Sequence, residues 1–509
     1  MQQLAATVPS TSSAWSLLLP LVMSLLVGCA QADLSSDARH SGAEGLLPDG
    51  SSPDAGPSDG SPPHEGLPDG SSPDGSLPDG SLPDAAAPPP LLGASKLSTH
   101  LKLASDLNIK SDKVLLSAQV TLPTAATVLL VADGRYGPLG HNAANIYITV
   151  DGTKASSDSY IDWTQSTNMQ QHCFNAIGVK SLAAGSHTIN LVADYISGGG
   201  FYVGAGSNLS VMVNPATSVE QAILTSDTGA FDFTTANCGD GCPVPHTPML
   251  SRQINVSSTS DPVILLASGR TYAATAYGDA MWGIYVDGSY PGNGAACWTV
   301  NDIWDGAETH APMYAHAFIN GIPAGTHTFS LDATEFPWGT TEESVVYKVG
   351  AGTRLVALRG GMVVKGSSPQ STALHDNTDY LPIGTSSGWS GVPPVGTSVL
   401  LAEASIDVPP NHSGVVMFIA KTRVQGDKTD AGGTVSLWIA VDGVKVSNDG
   451  IQQLASPCSS SQRTVTASYL AAGSSALLTG THKVQVFGMA TGSFLHLCMN
   501  KDLPLIWFD

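Results

Sequence analysis

Three segments of this 509-residue chain end a strand-like run with the same turn: Val150-Asp151-Gly152, Val286-Asp287-Gly288 and Val441-Asp442-Gly443. A second landmark follows each: Ala184-Gly185-Ser186-His187, Ala324-Gly325-Thr326-His327 and Leu478-Thr479-Gly480-Thr481-His482. The separations from Val to His are 37, 41 and 41 residues. Self-similarity of this kind means one supersecondary unit used three times. Before each turn, apolar residues alternate: Ile146, Ile148 and Val150; Trp282, Ile284 and Val286; Leu437, Ile439 and Val441. Period 2 in three copies predicts a half-buried strand. Asp-Gly supplies the positive φ of a tight hairpin turn, so Asp151, Asp287 and Asp442 read as turn residues before anything catalytic.

Each copy also holds a nearly continuous apolar run: Val128–Ala132, Val263–Ala267 and Val415–Ala420, each ending shortly before Arg135, Arg270 or Arg423. Such runs fit strands buried inside a sandwich. Gly-Ala-Gly recurs at 204–206 and 350–352. A strand follows it rather than a helix, which argues against a phosphate cradle. About eight short strands per copy predict an all-β chain of three tandem antiparallel β-sandwiches. The expected boundaries are 93–216, 217–360 and 361–509. The strand order and unit size resemble jelly-roll domains, of the complement and tumour-necrosis-factor-like type or the carbohydrate-binding-module type. The first group assembles as trimers, so the resemblance implies a pseudo-threefold body within one chain. Independent sandwiches strung on linkers are the slightly favoured arrangement.

The first 92 residues are different. Trp15 to Val27 is apolar over 13 residues, too short to span a bilayer but suited to a signal-peptide core. It runs into Leu26-Val27-Gly28-Cys29, which resembles the lipobox of bacterial lipoproteins. The resemblance implies a signal peptide over 1–28 and a lipidated Cys29 that begins the mature chain. Acyl chains at ~0.8 kcal/mol per buried CH₂ would then be the membrane partner. Ala30 in place of Asp favours the outer membrane of the bacterial envelope by the same resemblance. No Lys or Arg precedes the apolar core, a departure from the usual positive start. Residues 29–92 repeat Leu-Pro-Asp-Gly at 47–50, 67–70 and 77–80, and predict an extended, disordered tether.

Net charge is -21, of which -10 lies in residues 1–92. An acidic chain repels phosphate backbones, so nucleic acid is not an expected partner. With Cys29 lipidated, six cysteines remain. An even number outside the cytoplasm suggests disulfides, with Cys238–Cys242 and Cys458–Cys498 as candidates and Cys173 and Cys297 left over. The cysteine spacing does not suit zinc, and no metal or cofactor is expected. His187, His327 and His482 occupy matched positions, where bonds to nearby backbone are the favoured reading. No nucleophile or acid/base motif is evident, so no catalytic residue is assigned.

Tryptophans in polar loops are the better lead, because indole stacks on the apolar face of a sugar ring and donates a hydrogen bond. Trp163, Trp298, Trp304 and Trp338 are the candidate contacts, with Asp162, Asn301, Asp302 and Asp305 beside them. The competing reading is that they fold back to cover the sandwich ends. The expected function is a surface-anchored, non-catalytic protein that binds a glycan or a surface protein. A structural subunit of the envelope is the alternative, and a hydrolase the third.

Overall fold

The computed structural model describes residues 98–140, 142–162, 171–215, 218–229, 231–233, 246–260, 262–273, 278–289, 299–303, 310–319, 321–335, 345–359, 380–383, 396–410, 414–426, 433–447, 450–453, 462–472, 475–491, 495–498 and 505–507. All of them fall in the unit Ala85–Asp509. The lipobox Cys29 and the tether lie outside the described residues. Regular structure is antiparallel β throughout, as the period-2 patterns require, with no α-helix among the described residues.

Each sequence copy forms two facing sheets. In the first, an outer sheet runs Lys113–Leu122, Gly185–Gly198, Asn142–Val150, Thr153–Lys154, with Ser159–Asp162 also on Asn142–Val150. An inner sheet centres on Ala126–Pro138, flanked by His172–Leu182 on one side and by Asn208–Val213 and Phe201–Val203 on the other. The second and third copies repeat this plan about Val263–Ala273 and Val416–Gly426. Even the defects recur. The first outer strand slips register between Val114 and Leu116, between Pro248 and Leu250, and between Leu400 and Ala402, a bulge at one place in all three copies.

The Val-Asp-Gly turns adopt the predicted conformation, with φ of 50°, 49° and 50° at Asp151, Asp287 and Asp442 and positive φ at each following Gly. This left-handed pair matches the twist of the strands it joins. The Gly-Ala-Gly bends are structural. Asp106 and Asp227 accept the Ala205 and Ala351 N–H at 2.6 and 2.7 Å. Arg135 and Arg270 lie flat against Gly204 and Gly350, where a Cβ would collide with the guanidinium stem.

The continuous apolar runs have a cause that alternation within one sandwich does not supply. Val128, Leu130 and Ala132 face the core of their own sandwich; Leu129 and Val131 point the other way. Val263, Leu265 and Ala267 likewise face inward while Ile264 and Leu266 face out, and Val416, Phe418 and Ala420 oppose Met417 and Ile419. The outward residues of all three copies meet in one further apolar cluster, with Tyr314, Phe318, Val356 and Leu470. Each inner strand is therefore buried on both faces. The copies are not beads on a string; their inner sheets pack around a shared fourth core.

Polar groups stitch the rim of that core. Ser157 Oγ donates to Ser268 Oγ at 2.9 Å, and Ser268 lies 3.0 Å from the Asn175 carbonyl. Asn175 reaches Thr466 at 3.4 Å, and Asn208 bonds both Asp133 and the Ser468 carbonyl. Cys173 is buried against residues of the third copy.

Candidate functional site

The four loop tryptophans, Trp163, Trp298, Trp304 and Trp338, lie outside the described residues, as do Cys238, Cys242 and Cys458; Cys498 ends the strand Leu495–Cys498. The described strands next to two of them show how the copies align in sequence. Ser159 pairs with Ile146, and Thr299 with Trp282, which occupies the place of Ile146. Trp163 therefore follows its strand and Trp298 precedes the equivalent one. Spacing from the Val-Asp-Gly turn makes them look alike; aligned on the paired strands, they are not equivalent positions in the two copies. Trp282 itself is core, at 1% exposure.

Half-buried aromatic rings stand instead on the outward faces of the outer sheets. Leu437 and Ile439 face the core, so the pleat turns Trp438 between them outward. Phe487 sits opposite Trp438, and Leu400 opposite Phe487, giving a row across three strands. The Trp438 and Phe487 rings are 5.8 Å apart and nearly parallel. Lys445 Nζ lies 5.1 Å from the indole centre. Around the row, Gln485 donates to Glu403 at 2.9 Å and Lys483 pairs with Glu403 at 2.8 Å. The hydrogen bond from Lys483 holds the Glu403 carboxyl below its usual range.

The first copy has the same device at the same register. Tyr147, Val192 and Val114 form the row, with Lys154 Nζ 4.8 Å from the phenol ring centre. Val114 is 49% exposed. Carboxylates ring it: Asp158 bonds Lys154 and Asn145, and Asp194 has its pKa raised by burial and by Asp112 beside it. The second copy departs. Pro248, Asp332 and Gly283 fill the row, and His246 bonds the buried Asp332 at 2.6 Å while stacking on Tyr285 at 4.1 Å. Burial, with Asp332 nearby, pushes the Tyr285 phenol up to about 12.

Tyr147 and Trp438 were legible as outward positions, being the odd residues between two core residues on the best-patterned strand. Their lysines were not, because Lys154 and Lys445 reach back across the turn.

The matched histidines hold the turns rather than a ligand. His187, His327 and His482 each place Nδ1 2.7 Å from the carboxylate of Asp151, Asp287 or Asp442. Each Nε2 faces a backbone carbonyl, of Ala183, Pro323 or Leu478. Two acceptors require two N–H donors, which only the imidazolium has. Among the described residues no group of three or more His, Cys, Asp or Glu is placed to hold a metal ion.

The chain is thus an all-β protein of three fused sandwiches. No protein-family model and no curated protein matches it. Among solved structures it is similar to PNGase F, a glycosylasparaginase from Flavobacterium meningosepticum, at 8% identity and TM-score 0.25, over 52% of this chain and 96% of that one. It is similar to the N-terminal CBM22-1-CBM22-2 tandem domain from Paenibacillus barcinonensis Xyn10C at 12% identity and TM-score 0.16, over 52% and 99%. A GH2 beta-galacturonidase from Eisenbergiella tayi follows at 11% and 0.16, over 54% of this chain and 45% of that one. Likenesses at this level carry no argument about ligand or activity.

Proposed function

We propose that this is a non-catalytic glycan-binding protein of the bacterial envelope, tethered by lipid at Cys29, with its outer sheets as the binding surfaces. One observation carries the reading: an aromatic ring in an apolar row, capped by lysine, stands at the same register in the first and third copies. An aromatic face takes the apolar side of a sugar ring. The lysine and the surrounding carboxylates and amides can donate to and accept from its hydroxyls. Two such surfaces on one rigid body would raise weak single-site affinity when both engage one polymer.

The test is a glycan array followed by calorimetry on a binding polysaccharide. Trp438→Ala or Tyr147→Ala should each weaken binding about tenfold or more, and the double variant should abolish it. Wild-type protein that binds nothing on the array, or a double variant with unchanged affinity, would reject the reading. The shared core favours a second reading, a rigid assembly subunit. It predicts self-association by light scattering with no soluble ligand.

A further inference from the structure

Each seam between copies contains a histidine, and at two of them the histidine and a cation share one tyrosine ring. Between the first and second copies, His310 stands edge-on to Tyr160 at 4.4 Å and tilted against Tyr272 at 4.5 Å. The Arg270 guanidinium lies 5.1 Å from the same Tyr160 ring. Between the first and third, His100 stands edge-on to Tyr469 at 5.1 Å, bonded to Ser210 at 2.8 Å. Lys102 approaches that Tyr469 ring to 5.3 Å and bonds the Val446 carbonyl. Between the second and third, the buried His316 meets the field of the buried Lys421, with the Tyr314 hydroxyl 3.1 Å from its Nδ1.

The positions are not coincidental in the fold. His310, Tyr314, His316 and Phe318 have the same parity on the strand His310–Ile319, and Tyr314 and Phe318 belong to the shared core. Met313, Ala315, Ala317 and Ile319 face the sandwich interior. Protonating His310 or His316 therefore adds charge between copies, not inside one. The same holds for His100, whose ring meets the third copy's Tyr469.

We propose that acidification separates the three copies along these seams while each sandwich stays folded, so that the body is an acid-opened assembly built into one chain. An imidazolium at a seam would be desolvated and would face like charge from Arg270, Lys102 or Lys421. Asp162 and Asp227 act on His310, but Asp227 already accepts from Tyr272 and the Ala351 N–H. At the other seams Asp133 acts on Lys102 and Tyr314, and Lys445 adds further positive charge near Lys102.

Burial first, and then the neighbouring cation, hold His310 at about 4 and His100 at about 3, with His316 also well below the ordinary value. The sign follows. An exposed histidine titrates near ~6.5, so below that pH the open form binds protons that the closed form refuses. The open-to-closed ratio then rises about tenfold per pH unit for each histidine, or about a thousandfold for three.

The experiment uses the full chain in small-angle scattering, with a hydrophobic dye and far-ultraviolet circular dichroism, from pH 7 to pH 3.5. The expected result is an increase in radius of gyration and dye binding between about pH 6.5 and 4, with the β signal retained. His100→Gln and His310→Gln, at the two less buried positions, should each cut the steepness of that transition about tenfold per pH unit. An unchanged radius down to pH 3.5, loss of the β signal in the same step, or variants of unaltered steepness would overturn the proposal. His316→Gln is the riskier variant because the site is fully packed, and the test does not depend on it.

Discussion

At the residue scale, histidine does opposite things in two places: at the seams burial and nearby cations lower it. At the three tips, histidine meets a carboxylate, and the bonds to Asp151, Asp287 and Asp442 raise it; at His482 those bonds outweigh the burial that would lower it. A raised histidine contributes stability fully present below its unfolded value and lost as pH climbs through the folded one. The partner aspartates are depressed, so their share is lost on the acid side, below the usual carboxylate range. The aspartate of each pair is half exposed, so each pair is worth at most about 1 kcal/mol. Asp442→Asn keeps the left-handed turn and an acceptor for the Lys483 N–H. It should bring His482 back to an ordinary titration near ~6.5 in an NMR series, with little change in fold. A His482 titration that stays raised in that variant would show that the Leu478 carbonyl alone holds the proton.

At the element scale, the inner strands are the most constrained because both faces are buried. Leu265 and Leu266 are adjacent, fully buried, and belong to different cores. Leu265→Ala and Leu266→Ala should each cost about 2–5 kcal/mol in denaturant unfolding. They differ in what they loosen. The first weakens one sandwich; the second weakens the packing between copies and should make the acid step begin at higher pH. The outer strands are more permissive. Trp438→Ala removes a half-buried ring from a solvent face, and its melting temperature should change far less than its binding.

At the scale of the whole molecule, a shared core couples the copies. Scanning calorimetry at neutral pH should give one cooperative transition for the body, where independent sandwiches would melt separately. Met417→Glu would bury a charge with no partner in the middle of the shared cluster. It should split the transition or expand the particle in solution scattering. One undisturbed transition in that variant would show that the copies do not depend on one another.

The alternation before each Val-Asp-Gly turn, read alone, determined the strands, their core faces and the threefold plan, because pleat and hairpin are local and depend on residues a few positions apart. The continuous apolar runs carried the trace of a second buried face, yet a run of that kind reads equally well as the middle of one sandwich. Only the tertiary structure decided what lay across it. The pairing of Trp438 with Phe487 and Leu400, the lysines that cap the rings, and the histidines lodged at the seams between copies join residues up to hundreds of positions apart. Such meetings depend on how sheets pack in space, and nothing in the spacing of one strand records them.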